Sequence, residues 1–217
     1  MLQPAQVKSQ VIDLRRTTAT IPPCAAVDAN VLYFCNYPNF GQLQSAGGYS
    51  PRSYQLSDYP KWWARALTAK CNFATSIATF GEFLKLVEHA ELETCWLNDP
   101  LHAADLFSKK LARYEYAAHL ATIRQSALTA VASIEKSVSH FPMRGTQPSD
   151  DFRQINDEWK DTYGDYPDAV LVAQARSGGI KNVVTDDIDF LTFDGLIVHT
   201  ANDKAVQLAR SAGKLIV

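Results

Sequence analysis

The chain lacks the marks of several common protein classes. No run of 18 apolar residues occurs, so nothing reads as a membrane-spanning helix and no membrane partner is expected. The start, MLQPAQVKSQVIDLRR, has no apolar centre of a secretory leader. Four cysteines, at 24, 35, 71 and 95, form no C-x-x-C pair, and no histidine follows at zinc-finger spacing. Zinc is therefore disfavoured, and the expectation is a cytoplasmic protein with reduced thiols. A net charge of −2 gives no global sign of a nucleic-acid binder and leaves that role to a local basic patch. There is no internal repeat, no low-complexity tract and no G-x-S-x-G. The histidines at 89, 102, 119, 140 and 199 lack a partnering motif, so a Ser-His-Asp hydrolase is a poor fit and packing or surface roles suit them better.

What is present suits one globular unit over residues 1–217: 47% of residues are hydrophobic and 20% charged. Pro22 and Pro23 precede a short strand at CAAV (24–27), and a helix is expected from Asn30. Residues 36–57 are rich in Gly, Pro, Ser and Asn and read as a long loop insertion. A helix restarts at SDYPKWWARAL, with Ser57 or Asp58 as its cap and Pro60 in its first turn. NFATSIATF (72–80) reads as a strand, and 81–93 as a helix with Phe83, Val87 and Ala90 at helical spacing. Residues 101–138 are helical, as one long helix or a pair, and 139–150 form a loop with room for a short strand. Further helices are expected at DDFRQINDEWKDTYG and at YPDAVLVAQARSGG, where Pro167 and Gly178 mark the two ends. IKNVVT and LIVHT are strands, NDKAVQLARSAG a helix, and KLIV a closing strand. This alternation predicts an α/β fold with a parallel sheet covered on both faces and a long helical middle region.

Four acids fall where a strand ends and the next element starts: Asp28, Glu82, Asp168 and Asp187. Each has an alternative as a helix cap. Thr79 with Glu82 fits the S/T-x-x-E capping box, and Asp28, Asp165 and Asp168 suit helix N-termini. In a parallel sheet, however, all strand C-termini share one edge, and ligand sites form there. Carboxylates gathered at one edge repel unless a cation offsets them, and hard oxygen donors favour Mg²⁺ or Mn²⁺. TDDIDF adds Asp186 and Asp189, but the glycine and terminal glutamate of an EF-hand loop are missing.

In order and character, VDANVLYF, TSIATFGEFLKL, YPDAVLVAQARSGG and NVVTDDIDFLTFDGLIV resemble the segments of a PIN domain of the VapC-type ribonuclease toxins. The resemblance covers about half of the chain, at its two ends, and leaves residues 1–20 outside as an N-terminal extension. It implies a three-layer α/β/α fold and a metal-dependent endoribonuclease. Asp28, Glu82, Asp168 and Asp187 would hold one or two Mg²⁺ or Mn²⁺ ions and position water for in-line attack on an RNA phosphodiester. Asn30 and Thr185 would steady the first and fourth acids, Asp189 would assist through water, and Asp186 sits at a variable position. An antitoxin protein and a second copy of the chain are the implied partners. The chain is longer than the compact toxins, so an RNA-processing role on the same fold, or a non-catalytic interaction module, stays open. A haloacid-dehalogenase-like site would want Asp at position 30, where this chain has Asn.

An acidic centre needs basic surroundings to admit a polyanion. Residues 109–144 carry Lys109, Lys110, Arg113, Arg124, Lys136 and Arg144 against Glu115 and Glu135, a candidate RNA-facing stretch whose alternative is a solvated helix face. Arg52, Tyr49 and Tyr54 could stack on unpaired bases. Trp62 and Trp63 point about 100° apart on a helix, so one of them is a candidate for exposure to a partner, with packing at the core margin as the alternative.

Overall fold

The computed structural model describes residues 2–37, 39–48, 50–102, 105–141 and 148–217. Its strands are β1 (Gln10–Asp13), β2 (Cys24–Val27), β3 (Asn72–Thr75), β4 (Val138–His140), β5 (Asn182–Val184), β6 (Ile197–Thr200) and β7 (Leu215–Ile216). They form one sheet in the order β4-β3-β2-β5-β6-β1-β7, and every pairing is parallel. Strand side chains alternate between faces, so β2 feeds both sides: Ala25 and Val27 enter one apolar cluster and Ala26 the other.

The first face is covered by α1 (Ala29–Asn36), α2 (Phe40–Ser45), α3 (Ser53–Thr68), α4 (Ile77–Asn98) and α6 (Ala117–Ile134). They bury Leu32, Leu43, Tyr59, Trp62, Phe83 and Ile134 against Phe73 and Val138. Helix α5 (Lys109–Glu115) closes a satellite cluster with Leu92, Trp96 and Ile123. The second face is covered by α8 (Tyr166–Ser177) and α9 (Asp203–Ser211), through Ala169, Leu171, Val172, Ala205 and Ala209. Helix α7 (Pro148–Trp159) lies against α8. The expected three-layer α/β/α architecture, with its long helical middle, is thus present.

Several local expectations need correction. The strand placed over 72–80 stops at Thr75, because its register with β4 ends at His140. Ser76 then caps α4, its Oγ accepting the Thr79 N–H at 2.9 Å. Thr79 is therefore the third helical residue rather than a cap, and no Thr79–Glu82 capping box forms. The expected loop at 36–57 contains α2 and the start of α3. Arg52, not Ser57 or Asp58, is the N-cap residue of α3, its N–H donating to the Gln55 Oε1 at 2.7 Å, so Pro60 lies inside the helix. Trp62 and Trp63 are both buried, because α3 is covered on both flanks. Trp63 stacks on Phe73, with ring centroids 4.2 Å apart, and Trp62 reaches Phe73 and His199. Within residues 1–20, which lie outside the resemblance, β1 runs between β6 and β7 with Val11 fully buried.

Candidate metal centre

Adjacent parallel strands β2 and β5 end side by side and bring Asp28 and Thr185 together. The Asp28 N–H donates to the Val184 carbonyl at 3.1 Å and locks the two strand ends in register. Asp28 is 3% exposed and caps α1, as the alternative reading had it. Its Oδ1 accepts the Ala29 N–H at 2.6 Å. Its Oδ2 accepts the Thr185 hydroxyl at 2.7 Å and the Asn30 Nδ2 at 3.2 Å. Asn30 thus contacts the first acid, as the resemblance implied, whereas Thr185, expected at the fourth acid, donates its hydroxyl to the first.

Thr185 works in two directions, because its Oγ1 also accepts the Asp187 N–H at 2.9 Å. Asp187 in turn caps the 3-10 turn Ile188–Thr192, accepting the Asp189 N–H at 2.8 Å. Asp168 enters from the first turn of α8, where it and Asp165 cap each other reciprocally: Asp165 N–H to Asp168 Oδ2 at 2.9 Å and Asp168 N–H to Asp165 Oδ1 at 3.1 Å. Glu82 enters from the second turn of α4. Gly164 lets the chain approach α8 closely: a Cβ there would meet the fully buried Phe193 ring at 2.7 Å and the Asp168 Cβ at 3.2 Å.

These acids line one cleft of about 440 Å³: Asp28, Glu82, Asp165, Asp168 and Asp187, with Asn30, Lys85, His89 and Lys109. Asp165, read from sequence only as a cap, is part of the cleft as well as a cap. Its signal was the D-x-x-D spacing at the start of α8. Asp189 is not among the lining residues.

The electrostatics are those of crowded, half-desolvated carboxylates. Burial, opposed by the Thr185 hydrogen bond and reinforced by the Asp187 charge, raises Asp28 to about 6. Burial and then the charges of Asp165 and Asp28 raise Glu82 to about 7. Burial and then the charges of Asp28 and Asp165 raise Asp168 to about 9. Asp189 is also raised, by burial and by the charges of Asp187 and Asp165.

Among the described residues, no three His, Cys, Asp or Glu side chains are already drawn close enough to enclose an ion. The carboxylates share one open cleft without closing on one point. That arrangement fits Mg²⁺ or Mn²⁺ better than an ion needing an all-protein cage, since Mg²⁺ keeps several waters and takes one or two carboxylates directly. The carboxylate donors supply anionic oxygen, which suits a hard divalent cation, with His89 and Asn30 the neutral side chains beside them. Asp28 and Asp187, joined through Thr185, and Glu82 and Asp168, which line the same cleft, are the residues that could hold such an ion.

Asp186 points elsewhere. Its carboxylate accepts from Tyr59 Oη at 2.8 Å, Gln55 Nε2 at 2.5 Å and Tyr54 Oη at 3.4 Å, and its carbonyl accepts from Asn202 Nδ2 at 2.7 Å. It braces α3 and the start of α9 against the end of β5. Of the basic stretch, Lys109 reaches the cleft, Arg113 and Arg124 bind Glu88, and Lys110 and Lys136 are exposed. Arg144 and Tyr49 lie outside the described residues. No helix among the described residues is long and apolar enough to cross a membrane.

No protein-family model matches the sequence, and no curated protein does. Among solved structures, the chain is similar to the crystal structure of VapBC2 from Rickettsia felis bound to a DNA fragment from their promoter. The match has 12% identity and a TM-score of 0.45, over 82% of this chain and 98% of that one.

Proposed function

We propose that this chain is a metal-dependent endoribonuclease that hydrolyses RNA phosphodiesters with Mg²⁺ or Mn²⁺. The observation that carries the reading is one cleft, at the C-terminal edge of a parallel sheet, lined by five carboxylates from four chain segments, three of them held well above the ordinary carboxylate range. Such a cluster favours a cation, because binding one removes the repulsion that otherwise retains protons. A bound divalent ion supplies Lewis acidity at a phosphate oxygen and a more acidic water. The chain's own part is orientation: Thr185 and Asn30 fix Asp28, Thr185 fixes Asp187, and the Asp165 cap fixes Asp168. Lys85 and Lys109 bring positive charge to the same cleft, where a phosphodiester must enter.

The biological setting proposed is the toxin of a type II toxin-antitoxin pair, with a small antitoxin as protein partner and a homodimer as the assembly. It rests on the resemblance of the four segments to the VapC-type toxins. Pure protein incubated with RNA and Mn²⁺ is expected to cleave internally. EDTA is expected to abolish cleavage, and Asp28→Asn to lower it by about 100-fold or more, beyond what loss of a supporting residue costs. Cleavage that persists in EDTA sinks the metal reading.

A further inference from the structure

A second depression, also of about 440 Å³, meets the acidic cleft at Asn30 and Asp187, which line both. Its character is different. It is lined by Arg52, Tyr54, Gln55 and Lys204 among others, and its acids are Asp186 and Asp187 alone. Asp186 is already committed to Tyr54, Gln55 and Tyr59, and Asp187 to the adjoining turn. Arg52 and Lys204 are both exposed, and neither is within 4.0 Å of a carboxylate among the described residues, although the Arg52 charge is felt by Asp186 and Tyr54 in the same groove.

Hydrogen bonds tie the lining residues of this groove to one another. The Arg52 N–H donates to Gln55 Oε1 at 2.7 Å, Gln55 Nε2 donates to Asp186, and Asn202 Nδ2 donates to the Asp186 carbonyl while its Oδ1 accepts the Lys204 N–H at 3.0 Å. Two residues from distant parts of the chain, on α3 and α9, thus line one groove. Tyr54 lines the same groove, half-buried against the core, with its hydroxyl 3.4 Å from the Asp186 carboxylate.

A polyanion held at an acidic centre is repelled on either side of the bond being cut, and cations at the adjoining subsite offset this. We infer that this groove binds the nucleotide next to the scissile phosphodiester of RNA, with Arg52 and Lys204 on its phosphate and the Tyr54 ring against its base. The assignment rests on the nuclease reading above. Arg fits a phosphate's paired oxygens, Lys adds a point charge, and a tyrosine ring stacks on an unpaired base without choosing among bases. The groove therefore selects for single-stranded RNA more than for sequence.

The test is equilibrium binding of a short labelled single-stranded RNA to the full chain in EDTA, where the proposed chemistry is switched off. It is measured from about 50 to 200 mM salt. Arg52→Ala with Lys204→Ala is expected to weaken binding at least tenfold at the lower salt. It is also expected to flatten the slope of log affinity against log salt by about 0.7, the value for one phosphate of a single strand. Lys181→Ala with Lys214→Ala, which removes the same charge from the opposite edge of the sheet, is expected to change neither. Thermal melting of each variant shows whether the fold is kept, and Arg52→Lys with Lys204→Arg, which keeps both charges, is expected to retain most of the affinity. Equal weakening by the two double alanine variants, an unchanged slope, or no RNA binding by the unsubstituted chain overturns the subsite. Binding that depends on Arg52 and Lys204 in a chain that never cleaves RNA with Mn²⁺ keeps the subsite and removes the nuclease reading. Cleavage with binding indifferent to them does the reverse.

Discussion

Glu82 and Glu88 stand less than two turns apart on α4 and meet opposite surroundings. Glu88 is 7% exposed and surrounded by cations. Its Oε1 accepts Arg113 Nε at 2.8 Å and also Arg113 Nη2, its Oε2 accepts Arg124 Nε at 2.9 Å, and Lys109 Nζ lies 3.7 Å away. Burial pushes this carboxyl up, and the arginine hydrogen bonds more than reverse the effect, leaving it below the ordinary range. Glu82 meets burial and other carboxylates, with Lys85 as the opposing charge, and is raised. The lesson is that buried acid alone says little. A carboxylate whose partners are present, like Glu88, ties α4 to α5 and α6. A cluster in which carboxylates outnumber the facing cations, like Asp28, Glu82 and Asp168, is raised by mutual repulsion on top of burial.

The largest effect that would sharpen this contrast is metal-linked stability. Mn²⁺ at 100 times its Kd is expected to stabilise the chain by about 2.7 kcal/mol. That raises Tm by roughly 5 to 10 °C for a chain of this size. The Glu88→Gln variant should keep this increment and Asp187→Asn should lose it. A Tm indifferent to Mn²⁺ breaks the comparison outright.

Next in size is Glu88→Gln itself, which strands two guanidinium groups. Their side chains are about half exposed, at 44% and 56%, so the cost falls below that of a fully buried pair, at about 2 kcal/mol. Urea titration should show a lower midpoint with an unchanged slope, with or without metal. An unchanged midpoint would mean the cluster is surface decoration.

The smallest effect has the opposite sign. Asp168→Asn, which spares the folded chain the cost of keeping a proton on this carboxyl, is expected to stabilise the metal-free chain at pH 8 by about 1 kcal/mol. The pH dependence follows the same logic. Carboxyls raised on folding bind more protons in the native state than in the unfolded one, so stability falls as pH rises. With Asp28 near 6, Glu82 near 7 and Asp168 near 9, metal-free Tm should decline from about pH 4 to pH 9. Asp168→Asn should flatten the upper part of that decline. A Tm that climbs over this range would show that the acids are not crowded.

The sequence made the C-terminal half legible because its signals are local. Pro167 and Gly178 bracket α8 as expected, and the short apolar runs of β5 and β6 have no helical competitor. The site acids of the sheet edge followed from the same feature: Asp28 and Asp187 stand directly after strands or one turn beyond. Elsewhere tertiary context decided. ATSIAT has strand-like β-branching, yet Ser76 caps a helix there because β4 offers no partner past His140. Pro60 suggested a helix start but is held inside α3, whose Trp62 and Trp63 bury themselves on the sheet and its flank. Four-residue QVID carried too little pattern to announce β1. Asp165 was read as a cap because nothing local shows that its helix end faces a cleft.

The placement of β1 bears on how the protein is made. Its neighbours in the sheet are β6 and β7, the last two strands of the chain. During synthesis from the N-terminus, β1 therefore has neither partner until residues 197–216 exist, and Asp28 waits for Val184 and Thr185 in the same way. Contacts of such long sequence separation make folding slow and late. A nascent chain cannot assemble the acidic cleft until β5 and Asp187 have been made, so under the nuclease reading RNA-cutting competence waits for that segment.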